Sequence, residues 1–286
     1  MKFFIHPGLR NLFKDLELIT NTIIEADNLG FDGAVMPDHY MWGTRNQGKT
    51  PDDYITLETW ITLTYLAAKT EKIRLGTLVT PIPFRPPSML AKMLSTLDVL
   101  SNGRVVLGVG AGWSQEEFEG YSEWNEPKVR VDKTKEGLEL IIKLWTQEEV
   151  TFEGKYYRAK AAVLEPKPIQ KPYPQLLFGG HGDRMLRLAG KYADICYIMS
   201  QTSEDYEEMK EKVLVAADRA NRADKIAFMA GFHIFSRIPY DSMEYIKRVE
   251  AAEEAGIRYF LMSFPRDQTF SDSMRSFAKE VMPSFK

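Results

Sequence analysis

Residues 73–109 read IRLGTLVTPIPFRPPSMLAKMLSTLDVLSNGRVVLGV, and this stretch decides the fold. It opens with a β-rich run, Ile73–Val79. Leu90, Met93, Leu94, Leu97 and Leu100 then recur at helical spacing, and Asn102-Gly103 stops the helix. A second β-rich run, Arg104–Val109, follows at once. Both runs are too apolar for a strand with one wet face and suit strands covered on both sides, as in a parallel sheet. Working outward, similar runs occur at Phe3–Ile5, Ala34–Met36, Gln175–Phe178, Ile195–Met199, Ile226–Phe235 and Arg258–Phe264. Helical stripes separate them: Leu16, Ile19, Ile23 and Ala26; Leu138, Ile141, Ile142 and Trp145; Met274, Phe277, Ala278 and Val281. Eight strands each followed by a helix predict an α/β fold, a closed (β/α)8 TIM barrel. An open doubly wound sheet is the runner-up. It is weakened because no Gly-x-Gly-x-x-Gly follows the first strand.

The 286 residues are expected to form one barrel domain over 1–286, since no linker or change of composition divides them. A net charge of −3 without a basic block argues against nucleic acid as a partner, because phosphate-backbone binding needs clustered Lys and Arg. The single cysteine, Cys196, excludes an internal disulfide and a thiolate metal cluster, and no His-Glu-x-x-His occurs, so no metal site is expected. No apolar run is long enough to span a membrane, and the start is too short for a secretory leader. The reading is a cytoplasmic protein acting on a small molecule.

Two segments exceed ordinary loop length and are expected at the C-terminal face: Ala111–Lys128, and Glu148–Pro174 with a hairpin of Val150–Phe152 against Tyr156-Tyr157. A barrel keeps its active site at the strand C-termini. Those ends carry His6-Pro7-Gly8, Pro37-Asp38-His39-Tyr40, Thr80-Pro81, Gly108–Trp113, Gly179–Asp183, Ser200-Gln201, Ser236-Arg237 and Ser263–Arg266. Three of the four histidines fall there; His233, inside a strand, reads as a core residue. Asp38-His39 is the best acid–base pair, because histidine titrates near neutrality and a carboxylate can set its tautomer. Adjacent strand residues point to opposite faces, however, so Asp38 need not touch His39. Gly179-Gly180-His181-Gly182 opens a helix whose N-terminal amides suit a phosphate, with Asp183 as the expected cap.

The ordered series Arg74–Pro81, Arg85-Pro86-Pro87, Leu97–Arg104 and Leu107–Trp113 resembles the luciferase-like superfamily. Pro37–Tyr40, Glu116-Glu117-Phe118, Leu177–Gly180 and Ala193-Asp194 add to the likeness. In style the chain looks most like the branch using coenzyme F420, a 5-deazaflavin; FMN monooxygenases that use O2 are the alternative. The resemblance implies a homodimer and a ring cofactor at the strand C-termini, backed by a non-prolyl cis peptide that maps onto Thr77–Leu78. It implies hydride transfer, with His39 as proton donor or acceptor and Asp38 and Trp42 beside the reacting centre. The implied cofactor contacts are His6, Asp38, Thr77, Leu78, Gly110, Gly112, Trp113, Gly179, Gly180, His181 and Gly182, with Arg184, Arg237 and Arg266 toward the charged tail. The dehydrogenases of this branch carry a Glu where this chain has Trp113, a departure from the pattern that goes with their sugar-phosphate and secondary-alcohol activities.

Overall fold

The computed structural model describes residues 1–7, 15–41, 56–199, 203–231, 240–264 and 269–285. Trp42, Ser200-Gln201, His233, Ser236-Arg237 and Pro265-Arg266 lie outside the described residues.

Eight strand positions close into a parallel ring. They are β1 (Lys2–Ile5), β2 (Gly33–Met36), β3 (Arg74–Thr77) continued by β4 (Thr80–Pro81), β5 (Val105–Gly110), β8 (Gln175–Gly180), β9 (Ile195–Ile198), β10 (Ala227–Gly231) and β11 (Ile257–Met262). Each pairs with the next, and β1 closes the ring on β11 with Phe4 opposite Leu261. The eight sequence runs thus become the eight barrel strands.

Alternate residues serve two cores. Phe4, Val35, Val106, Leu177, Ile195, Tyr197, Met229 and Leu261 fill the barrel interior. Their neighbours, among them Phe3, Ile5, Leu75, Leu107, Phe178 and Phe260, face the helical shell. This two-sided burial is why the strands read as apolar throughout instead of alternating. At the strand N-terminal ends Arg74 bonds Gln175, and Gln175 donates to the Tyr259 hydroxyl at 3.3 Å.

The shell comprises α1 (Leu16–Leu29), α2 (Thr59–Ala67), α3 (Pro87–Leu100), α5 (Pro127–Thr146), α6 (Asp183–Tyr192), α7 (Ser203–Arg219), α8 (Ser242–Glu254) and α9 (Phe270–Glu280). Asp15 caps the start of α1 by accepting from Leu18 N–H, and Gly30, at φ 83°, ends it. The stripe on α3 is buried only in part. Leu90, Leu94 and Leu97 face the barrel, whereas Leu100 is 66% exposed and Ile61 on α2 is 67% exposed.

Two expectations are corrected here. Ala111–Lys128 is not one long loop; it contains α4 (Gln115–Tyr121) and the start of α5. The hairpin consists of β6 (Val150–Glu153) and β7 (Arg158–Ala162), with Phe152 opposite Ala159, so the turn is longer than the sequence suggested. Its tip is held outside the barrel: the Glu136 carboxylate on α5 accepts from the backbone of Lys155, Tyr156 and Tyr157 at 2.7–3.0 Å. The returning chain bonds α3 through Lys92 and Ser95. The hairpin tip therefore packs on α5, and the chain that follows it on α3.

Candidate active site

The site begins three residues beyond β2. His39 is 12% exposed at its side chain, and its Nδ1 lies 2.6 Å from Oε2 of Glu117. Glu117 stands in the first turn of α4 and is buried. Its other oxygen accepts from the backbone N–H of Tyr40 at 2.9 Å and of Met41 at 3.2 Å. One carboxylate therefore fixes the imidazole and the chain that carries it. With the proton on Nδ1 the lone pair falls on Nε2, the form a general base needs. The Trp113 indole lies edge-on to His39, ring centroids 5.7 Å apart, and is 72% exposed.

Asp38 is not the partner of His39. It turns the other way and is buried, where it takes two hydrogen bonds from Arg85 at 2.7 and 2.9 Å and one from Thr80 Oγ1 at 2.8 Å. Arg85 also pairs with Glu58. Burial opposes its charge, but the Asp38 carboxylate, helped by Glu58, raises its pKa above the ordinary arginine value. The guanidinium lies over the Tyr40 ring, 4.8 Å from the centroid. Burial pushes the Tyr40 phenol up to about 12 against the pull of Arg85, so it stays neutral at physiological pH. Tyr40 stacks on Phe84 at 4.9 Å, and Phe84 leans on Phe118 at 4.4 Å, giving α4 an aromatic anchor beneath Glu117.

The second part of the site is a bulge between β3 and β4. The cis peptide is Leu78–Val79, one residue beyond the expected Thr77–Leu78. Thr77 is buried, and its hydroxyl faces Thr80 Oγ1 at 3.0 Å. Leu78 and Val79 are half-exposed and pack against the interior core. Glycines on the neighbouring strands make room for them. A Cβ on Gly110 would lie 2.3 Å from Val79 Cγ2, and one on Gly179 would lie 2.9 Å from Val79 Cγ1. A Cβ on Gly108 would lie 1.9 Å from the Thr77 carbonyl oxygen. Gly110 and Gly179 therefore accommodate the bulge. Gly112, at φ 80°, accommodates the Phe118 ring in the same way. Leu78 N–H donates to the Met36 carbonyl at 2.8 Å, which stitches the bulge to the strand end that leads to His39.

The third part is the start of α6. Its N-cap is Gly182, not Asp183, whose carboxylate instead meets Lys212 at 3.0 Å. A Cβ on Gly182 would meet nothing within 4 Å, and His181 beside it is exposed. The first amides of a helix have no helical acceptors, so this corner can take an anionic group. Arg184 is engaged elsewhere: it donates to the Lys128 carbonyl at 2.9 Å and pairs with Asp132. His6, at the end of β1, is buried, and its backbone N–H donates to the Met262 carbonyl.

The structure places the expected His39, Trp113, Leu78 and α6 start at the C-terminal ends of the strands, beside Glu117 and Val79, which the sequence reading did not name as site residues. Together they offer a proton-handling imidazole, an apolar shelf and an anion corner at one barrel mouth. That set fits a planar ring with a phosphate-bearing tail. Among the described residues no group of three or more His, Cys, Asp or Glu could hold a metal ion. Nor, among them, is any helix long and apolar enough to cross a membrane.

The chain is similar to known oxidoreductases. The chain is 37% identical over 194 residues to an F420-dependent glucose-6-phosphate dehydrogenase of Microbacterium testaceum, covering 68% of this chain and 55% of that protein. It is 29% identical over 209 residues to an FMNH(2)-dependent dimethylsulfone monooxygenase of Pseudomonas putida, covering 72% and 54%. The chain thus spans about half the length of these curated relatives. Among solved structures, an F420-dependent secondary alcohol dehydrogenase in complex with an F420-acetone adduct superposes with a TM-score of 0.83 at 22% identity, covering 100% of this chain and 99% of that one. A family model described as luciferase-like monooxygenase matches residues 8–271, and the chain belongs to that family.

Proposed function

We propose that this chain, as one barrel domain over residues 1–286, is an oxidoreductase that moves hydride between coenzyme F420 and a small organic substrate. The observation that carries this reading is the His39–Glu117 pair, set at the strand end to which the Leu78–Val79 shelf is stitched. Leu78 and Val79 would back the ring, and the backbone of Gly180, His181 and Gly182 at the start of α6 would receive the phosphate. When bound, the deazaflavin supplies hydride chemistry that no side chain here offers. The protein's own part is orientation and proton control. Glu117 accepts a hydrogen bond from His39 Nδ1–H, and Nε2 would take the hydroxyl proton of an alcohol, or return it to a carbonyl oxygen. Trp113 forms an apolar wall where the dehydrogenases of the branch have a carboxylate, which favours a less polar substrate than a sugar phosphate.

FMN with O2 is the competing reading, supported by the dimethylsulfone monooxygenase among the relatives. Titrating F420 and FMN by fluorescence separates the two. F420 is expected to bind the more tightly, with an affinity that weakens at high salt as its charged tail is screened. Tighter FMN binding, or oxygen consumption by the FMN-loaded protein with an organic substrate, would replace the dehydrogenase reading.

A homodimer belongs to the same proposal. Ile61 and Tyr65 on α2 and Met89, Val99 and Leu100 on α3 are exposed apolar side chains on two adjoining helices, as a self-complementary interface requires. Light scattering should give a dimer for the wild type and a monomer for Ile61→Asp; an unchanged mass would remove this face as the interface. A cytoplasmic location completes the reading, in keeping with a lone, buried Cys196.

A further inference from the structure

The Leu78–Val79 shelf is held from below by a buried hydroxyl hub. Thr77 and Thr80 flank the bulge and are fully buried, with their Oγ1 atoms 3.0 Å apart. Thr80 Oγ1 also lies 2.8 Å from Asp38 Oδ2 and receives the Trp60 indole N–H at 3.0 Å. Valence fixes the proton order. A carboxylate ion-paired with Arg85 only accepts, so Thr80 gives its one proton to Asp38. An indole N–H only donates, so it occupies one Thr80 lone pair. The other is left for the Thr77 hydroxyl, which donates across the base of the bulge at 3.0 Å in preference to the Gly108 carbonyl at 3.4 Å. Every donor and acceptor site of Thr80 is then in use.

The same hub reaches α2. Trp60 belongs to that helix, Thr59 Oγ1 donates to the Pro37 carbonyl at 2.9 Å, and the Glu58 cap holds both Ile61 N–H and Arg85. Three consecutive residues at the start of α2 are thus tied to the strand ends that form the site.

We propose that Thr80 and Trp60 are positioning residues for the ring seat: the Thr80 hydroxyl sets the shape of the Leu78–Val79 bulge, and Trp60 orients that hydroxyl. This rests on the reading that a flavin-type ring lies on the shelf. Neither residue handles a proton of the reaction. Their effect is on how well the seat is formed before ligand arrives, and it is read as cofactor affinity and as local protection of the apo protein.

The test compares Thr80→Val with Thr80→Ser. The first keeps the volume and removes the hydroxyl; the second keeps the hydroxyl and removes a methyl. Thr80→Val orphans the Trp60 N–H, leaves Asp38 Oδ2 with Arg85 alone, and leaves the Thr77 hydroxyl only the Gly108 carbonyl at 3.4 Å. It should speed hydrogen exchange of residues 76–82 in the apo protein about ten-fold and weaken F420 binding by about the same factor. Thr80→Ser should stay within about two-fold of wild type on both measures, and Trp60→Phe should follow Thr80→Val in direction. Leu94→Ala, a core cavity in α3, controls for general destabilisation and should change neither. Unchanged exchange in Thr80→Val overturns the hub, as does Thr80→Ser behaving like Thr80→Val. Faster exchange with unchanged F420 affinity in Thr80→Val overturns the positioning role. If the wild type binds no F420, the cofactor reading and the seat fall together, while the exchange rates still decide whether the hydroxyl shapes the bulge.

Discussion

Replacing His39 by alanine is expected to lower turnover by ~10²–10⁴-fold, the usual worth of a positioned general acid or base, while F420 affinity stays within about two-fold. The split follows from the geometry. The shelf and the α6 start lie on other strands and keep their shape without the imidazole, and Glu117 still holds the backbone of Tyr40 and Met41. What would be lost, on the proposed reading, is the nitrogen that exchanges a proton with a substrate oxygen. Steady-state rates and cofactor titration on the same preparation measure both halves. Turnover unchanged in the variant would remove His39 from the chemistry. A parallel loss of cofactor affinity would make it a structural residue.

Gly108→Ala is expected to lower stability markedly. The new Cβ would lie 1.9 Å from the Thr77 carbonyl oxygen and 2.8 Å from Thr77 Oγ1. The carbonyl belongs to a backbone that cannot swing away as a flexible side chain would. β5 must separate from β3, and the fully buried Val105, Val106, Leu107 and Val109 move with it. Overpacking in a tight core costs about 1–3 kcal/mol, and a backbone clash belongs at the upper end. For a domain of this size that is a fall in Tm of roughly 6–12 °C. Calorimetry of the variant checks it, and a Tm within about 1 °C of wild type would show that the strands separate freely.

The barrel was legible in the sequence because its strands are covered on both sides, so Ile73–Val79 and Arg104–Val109 read as nearly continuous apolar runs. His39 was legible because it stands at a strand end. Its partner was not. Sequence adjacency suggested Asp38, but neighbouring strand residues face opposite ways, and the carboxylate that meets His39 comes from 78 positions downstream. A signal was present: Glu117 adjoins Phe118 on a short helix, and a carboxylate on the apolar side of a helix calls for a partner. The cis peptide was misplaced by one residue because the resemblance maps it onto the run as a whole, and nothing in Thr77-Leu78-Val79 marks which peptide turns. The hairpin was found but not its anchor, since nothing local in Val150–Tyr157 signals that Glu136 on α5 will hold its tip.

The three bonds that Glu117 accepts make positions 39 and 117 one inherited unit. A homologue that loses the histidine no longer needs the carboxylate for the ring. It still needs it for two backbone amides, so glutamate should outlast histidine in descent. The reverse order, histidine kept without a carboxylate at 117, leaves an imidazole with no fixed tautomer on a strand end with unsatisfied amides. Histidine with an acidic partner, or the acidic residue alone, are the lasting combinations. A lineage showing only the glutamate is one that has kept the scaffold and moved on from the chemistry.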